Sequence, residues 1–253
     1  MRKPPKIGGS FIDDYRKVII FMKISEKINL DYDGLNEYGP INIVAFGDSV
    51  THGMLGEGEI DYETVYWNRL RKKILNKRAY VPINVIDAGI GGETAKGSLH
   101  RIESQVLVHN PDLVIVCFGL NDTDDTIDEF VGALEIIFDR CKNSSDVIYM
   151  TPNMMNTYVS EDTAYKNMKT AAKTAEIQNN GTMDIYMEKA RECAERCGVK
   201  VCDCYSKWKE LSKKCDTTKL LVNRINHPTR EMHELFAQSL FDVIFDDEPE
   251  NIK

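Results

Sequence analysis

Four short segments of this chain carry residue types that together could perform acyl transfer. Gly47-Asp48-Ser49 offers a hydroxyl nucleophile in a tight turn, and Gly91-Gly92-Glu93-Thr94 a glycine whose N–H can approach a ligand closely. Gly119-Leu120-Asn121-Asp122 adds a neutral amide donor, and His227-Pro228 a base. A serine hydroxyl is a weak nucleophile at neutral pH and needs an adjacent base to take its proton. The oxyanion formed on attack needs preorganised donors, which the N–H groups of Ser49 and Gly92 and the carboxamide of Asn121 would supply. Each segment also has a plainer reading. Gly-Asp-Ser and Gly-Gly occur in ordinary turns, and Asn121, Asp122 or Asp124 could cap a helix. Asp48 reads as a tie for its own loop rather than as a reacting group.

Five histidines compete for the role of base. His227 stands before a proline at the start of a final helix, where a docked loop could hold it against Ser49. His52 lies in the same turn as Ser49 and is better suited to lining the pocket. His233 falls within the last helix beside its apolar stripe and reads as structural. His100 and His109 belong to the helix after the second strand and its exit, away from the expected mouth.

The elements that must bring these segments together alternate in type. Apolar, β-branched runs predict strands at 41–46, 83–88, 112–118, 146–150 and 199–204, of which 112–118 is nearly continuous and suits burial on both faces. Helical periodicity places helices at 62–77, 94–108, 124–141, 161–177, 182–197 and 229–245. Strands alternating with helices imply a parallel α/β sheet covered on both faces, a three-layer α/β/α arrangement. The favoured order is flavodoxin-like, 2-1-3-4-5, with ligands beyond the carboxyl ends of the strands at the switch point. The first three segments follow strands one, two and three directly. Residues 1–40 read as an accessory segment packed on the core. It comprises a helix capped by Ser10, with Phe11, Tyr15, Val18, Ile19 and Met22 on one face, and an edge strand carrying Ile28, Leu30 and Tyr32.

Composition narrows the class. The 253 residues, 42% hydrophobic and 28% charged, suit one α/β domain with a modest extension. A net charge of −8 argues against nucleic acid as a partner, since phosphate contacts need clustered cations. The basic stretch from Arg69 to Arg78 reads as the solvated face of a helix. No apolar run approaches the ~20 residues that span a bilayer, and the basic start is followed only by the short block 18–22, so a cytoplasmic protein is expected. Seven cysteines at irregular spacing do not make a disulfide framework. Cys193 and Cys197 fall on a helix and Cys202 and Cys204 on one side of the next strand, a spacing that does not suit zinc, and no metal is expected. Oligomeric state is not readable.

On Ser49, Gly92, Asn121 and His227, in that order, the chain resembles the SGNH (GDSL-type) hydrolases over about residues 41–245. The resemblance implies a hydrolase domain over 41–253 that cleaves small acyl esters or thioesters through an acyl-enzyme. Ser49 and His227 would be catalytic, Ser49, Gly92 and Asn121 would form the oxyanion hole, and no cofactor or metal would be needed. The chain departs from the family at the last block, Asp-x-x-His-Pro, where Arg224 occupies the aspartate's position. Arginine has only donors and cannot accept the imidazole's proton-bearing nitrogen, so Arg224 is expected to point elsewhere, to a protein carboxylate or an anionic substrate group. Three groups could orient His227 instead: a backbone carbonyl, Asn223, or an acid from another segment such as Asp216. The missing carboxylate keeps open a non-catalytic acyl- or carbohydrate-binding module, and an O-acyltransferase would use the same residues. The segment from Thr151 to Tyr158 could wall the mouth and hold an acyl chain or a sugar, or be a packed loop. The glycine-rich loop from Gly53 to Gly58 could gate it, and an acetylated carbohydrate is the favoured substrate.

Overall fold

The computed structural model describes residues 22–56 and 58–246. Strands β1 (Ile41–Gly47), β2 (Ile83–Gly89), β3 (Leu113–Cys117), β4 (Asp146–Met150) and β5 (Lys200–Cys202) form one parallel sheet in the order 2-1-3-4-5. Every residue of β3 is buried, as its continuous apolar run requires of the central strand, whereas edge strand β2 is buried only at Ile83 and Ala88. Helices α3 (Tyr66–Lys77) and α9 (His233–Phe245) pack together, and α5 (Ile127–Cys141) packs against α4 (Ala95–Ser98) and α7 (Thr182–Arg196). The result is the three-layer α/β/α fold.

Register decides where the chemistry emerges. Gly47 at the end of β1 pairs with Gly89 of β2 and with Cys117 of β3. The three chains therefore leave the sheet at one level, and the segments beginning at Asp48, Ile90 and Phe118 share one edge. Beneath them Phe46 and Phe118 meet edge to face at 5.2 Å, giving the mouth a rigid apolar floor.

Several sequence expectations need correction. Residues 28–32 do not form an edge strand: Ile28 ends α1 (Ile24–Ile28) and Tyr32 opens α2 (Tyr32–Tyr38). Ile24, Lys27 and Ile28 are buried at helical spacing, so the apparent alternation spanned a helix junction. Helix α1 docks at the sheet end opposite the mouth, where Ile24 N–H donates to Asp146 at 2.6 Å and Lys27 pairs with Asp112 at 2.7 Å. The Ser10-capped helix lies outside the described residues. The helix expected over 94–108 is broken after α4 into 3₁₀, π and 3₁₀ turns. Arg101, Ile102 and Val106 are all buried along this broken segment.

The final strand ends at Cys202, and Cys204 already begins α8 (Cys204–Ser212), capped by Asp203. Cys202 and Cys204 thus share a strand-to-helix corner, with sulfurs 3.7 Å apart, rather than one strand face. Helix α6 (Met168–Asn179) starts later than 161, and α9 starts at His233 instead of 229. Pro228 pairs with Leu221 in an isolated antiparallel bridge. The basic face of α3 is not simply solvated: Arg69 and Lys73 both pair with Glu234 of α9, at 3.1 and 2.5 Å. No helix among the described residues is long and apolar enough to cross a membrane.

Candidate active site

The chain turns sharply after Gly47, and Asp48 fixes that turn. Its carboxylate accepts the Val50 N–H at 2.9 Å, and its carbonyl accepts the His52 N–H at 3.0 Å. This local knot presents Ser49, which is 4% exposed, towards the chain's last loop. There Ser49 Oγ lies 2.9 Å from His227 Nε2. His227 Nδ1 lies 2.8 Å from the carbonyl oxygen of Leu55. A carbonyl can only accept, so Nδ1 carries the proton and Nε2 presents its lone pair to the serine hydroxyl. Burial pushes the His227 imidazole below its usual 6.5, and the Leu55 carbonyl opposes that shift.

Leu55 is held in place by a small hairpin. Its N–H donates to the Glu59 carbonyl at 2.9 Å, Met54 bridges to Ile60, and the Asp61 N–H donates to the Gly53 carbonyl at 2.9 Å. Arg230, three residues after His227, clamps the same hairpin by pairing with Glu59 and with Asp61 at 2.6 Å. The glycine-rich loop expected to gate the mouth therefore carries the carbonyl that orients the histidine.

The other two candidate orienters are occupied elsewhere. Asn223 Oδ1 accepts three backbone N–H groups, from Ile225, Asn226 and His227, each at 3.0 Å. It shapes the loop that carries His227 but does not touch the imidazole. Asp216 accepts the Tyr158 hydroxyl at 2.6 Å and caps the turn at Thr217. Arg224 adopts a left-handed φ of 58° and turns its guanidinium to Asp162, with Nη2 at 2.8 Å from Oδ2, and to the Leu221 carbonyl at 2.6 Å. The cation at the family's aspartate position is thus aimed at a protein carboxylate, as its chemistry requires.

Three candidate donors lie on the segments that follow β1, β2 and β3. The N–H groups of Ser49 and Gly92 have no hydrogen-bond partner among the described residues. Gly92 sits at φ 79° in the turn closed by Glu93 N–H to the Ile90 carbonyl at 3.2 Å, a conformation that favours glycine. A Cβ there would meet nothing within 4 Å, so it is the backbone angle, and not crowding, that favours glycine at this position. Asn121 Nδ2 donates to the Glu93 carbonyl at 3.0 Å and, through a longer contact of 3.4 Å that an incoming oxygen could displace, to Asp48 Oδ2. Asn121 caps nothing; Thr126 caps α5. Behind it, burial pushes the carboxyls of Asp48 and Asp122 each up to about 7, so near neutrality they carry less than full negative charge.

The remaining sequence candidates stand apart. His52 Nε2 meets the Tyr62 hydroxyl at 3.2 Å. His233 accepts the Tyr66 N–H at 3.2 Å, and burial pushes it down to about 3. Thr151 to Asn156 are buried, so this segment is a packed loop rather than a wall, although Tyr158 is 39% exposed. Among the described residues no three His, Cys, Asp or Glu side chains gather as a metal site would need. A cleft of about 380 Å³ adjoins the donors, bordered by Gly92, Thr94, Asn121, Lys173, Thr174 and Asn226. Sequence reasoning missed Leu55, because a backbone carbonyl carries no side-chain signature.

The serine–histidine contact thus lies at the switch point of a three-layer α/β/α fold. Residues 45–235 match the GDSL-like lipase/acylhydrolase family, and the chain belongs to that family of carboxylic ester hydrolases. Among solved structures it is similar to Axe2, an acetylxylan esterase from Geobacillus stearothermophilus (TM-score 0.62, 21% identity, 81% of this chain and 94% of that one). It is also similar to LAE5, an alpha/beta hydrolase enzyme from the metagenome of Lake Arreo, Spain (TM-score 0.63, 20% identity, 81% and 94%). At these identities the likeness is one of fold. A curated relative, the uncharacterized lipoprotein YqeF of Bacillus subtilis (strain 168), is 32% identical over 89 residues, and the match spans only 35% of either chain.

Proposed function

We propose that the protein hydrolyses small acyl esters through an acyl-enzyme on Ser49, with His227 as general base and acid. The observation that carries this reading is the continuous relay from Ser49 Oγ through His227 Nε2 and Nδ1 to the Leu55 carbonyl, at 2.9 and 2.8 Å. Oγ attacks the acyl carbon as Nε2 takes its proton. The oxyanion is received by the Ser49 and Gly92 N–H groups and Asn121 Nδ2. The imidazolium then protonates the departing alcohol, and neutral His227 activates water to release the acid. A fluorophosphonate probe tests the assignment. Covalent labelling mapped to Ser49 is expected, and folded protein that stays unlabelled would instead favour a binding module.

The base must be neutral to accept the proton. Because burial lowers the His227 pKa, the acid limb of kcat/KM should have its midpoint below 6.5, and activity should persist as pH falls from 7 to 6.5. A midpoint at or above 6.5 would contradict the environment assigned to His227.

The cleft beside the donors favours a short acyl group on a polar alcohol. It offers the groups of Thr94, Lys173, Thr174 and Asn226 against the apolar Leu120 and Ile177. A long alkyl chain would find little apolar surface along that lining and would gain little by leaving water. Acetylated carbohydrates are therefore the first substrates to try, and p-nitrophenyl acetate should be turned over at least about tenfold better than the octanoate. Equal or reversed rates would remove the short-acyl assignment. The seven cysteines suit a reducing compartment, and fractionation of expressing cells tests the cytoplasmic placement.

A further inference from the structure

We infer that Arg101, acting through Glu93, is a positioning residue for the oxyanion donors of Gly92 and Asn121, an inference that rests on the serine-hydrolase reading above. Arg101 is among the largest fully buried side chains, at 2% exposure. Its Nη1 donates to the Ala88 carbonyl at 3.0 Å and to Gln105 Oε1 at 2.9 Å. Its Nε lies 3.4 Å from Glu93 Oε2, and the guanidinium sits 5.0 Å from the centre of the Phe46 ring. Nε and Nη2 have no hydrogen bond among the described residues. A buried cation with unmet donors is costly, and an apolar side chain would serve packing alone better.

What the cation touches explains its place. Ala88 and Glu93 bracket the segment that carries Gly92: one lies at the end of β2, the other closes the turn. Glu93 is also the hinge between the two donors. It follows Gly92 directly in the chain, and its carbonyl accepts Asn121 Nδ2 at 3.0 Å. Its carboxylate lies against Gly97, where a Cβ would come within 2.3 Å of Oε1, so the helix start is built around this acid. Arg101 stands at the junction of the 3₁₀ and π turns, and its contacts with Ala88 and Glu93 place it against both ends of the Gly92 segment. The ion pair sets the height of the turn from below. The useful strength of an oxyanion donor depends on holding it within a few tenths of an ångström.

Kinetics of Arg101→Met, Arg101→Lys and Glu93→Gln test this, with p-nitrophenyl acetate as substrate and phenylboronic acid as a tetrahedral mimic on Ser49. Arg101→Met and Glu93→Gln should each lower kcat by roughly 10- to 100-fold, part of the ~10²–10³ that loss of a whole donor costs. KM should stay within about threefold, boronate binding should weaken by a factor matching kcat, and Arg101→Lys should recover part of the loss. Combining Arg101→Met with Glu93→Gln should add little to either alone. A merely structural role would lower the melting temperature without changing kcat of the folded fraction. Unchanged kcat and boronate affinity in folded Glu93→Gln overturn the inference, and that variant decides alone if Arg101→Met does not fold. If wild-type Ser49 takes no fluorophosphonate, the serine-hydrolase reading itself fails; if it is labelled and Glu93→Gln is fully active, only the positioning role falls.

Discussion

Replacing Ser49 by alanine should lower kcat/KM for p-nitrophenyl acetate by on the order of 10⁴–10⁶, the range for loss of a serine nucleophile. The substitution removes one oxygen whose partner is His227 Nε2, so the fold loses little. The melting temperature should stay within about 4 °C of the parent, the shift expected for about 1 kcal/mol or less in a chain of this size. His227→Ala should cost nearly as much, and the double variant hardly more, because the two residues act as one unit. Esterase activity that survives in Ser49→Ala would transfer the chemistry to another group.

A second large effect is expected at Gly89, distant from Ser49 in sequence but next to its loop in space. A Cβ on Gly89 would lie 2.4 Å from His52 N, 2.8 Å from Thr51 C and 2.9 Å from Asp48 O. All three are backbone atoms of the turn that presents Ser49, so no side chain can swing away. Gly89→Ala should destabilise the protein by about 3 kcal/mol or more, as overpacking against backbone does. Whatever folds should show a displaced Ser49 and a lower kcat. Gly132 in α5 is the control. Nothing lies within 4 Å of a Cβ there, and Gly132→Ala should be neutral or stabilise by up to about 1 kcal/mol. Thermal unfolding of the two variants side by side checks the contrast; comparable stability would undercut the close approach of β2 to the Ser49 turn.

The parts of this protein legible in its sequence are those where side-chain type and strand periodicity speak together. Ser49, Gly92 and Asn121 each follow a strong apolar run, and the parallel register brings their segments to one edge. His227 was readable from its proline and from the weaker claims of the other histidines. The broken helix after β2 is not, because a 3.6-residue pattern cannot announce the 3₁₀ and π turns that replace it. Helix α8 was hidden by two cysteines that continue the strand's alternation, although Asp203 three residues before Ser206 is a capping signal. The orienter of His227 was narrowed to a backbone carbonyl, Asn223 or a distant acid. The structure assigns the contact to Leu55, which any residue type could make.

That carbonyl bears on why a missing carboxylate need not abolish activity. In a triad, exchanging aspartate for asparagine costs about 10⁴ in kcat because the imidazole adopts the wrong tautomer. The Leu55 carbonyl has no hydrogen to donate and so enforces the productive tautomer with Nδ1 protonated. What it lacks is a full negative charge to stabilise the imidazolium. Arg224 does not aggravate that deficit, since its charge is matched by Asp162.

The central claim is that Ser49 passes through a covalent acyl state. Rapid-quench mass spectrometry of the protein mixed with p-nitrophenyl acetate, followed by peptide mapping, tests it most directly. One acetyl group on Ser49, formed with a burst of nitrophenol and absent from Ser49→Ala, is the predicted result. Steady turnover of the ester with no acylated protein, and equal turnover by Ser49→Ala, would contradict it.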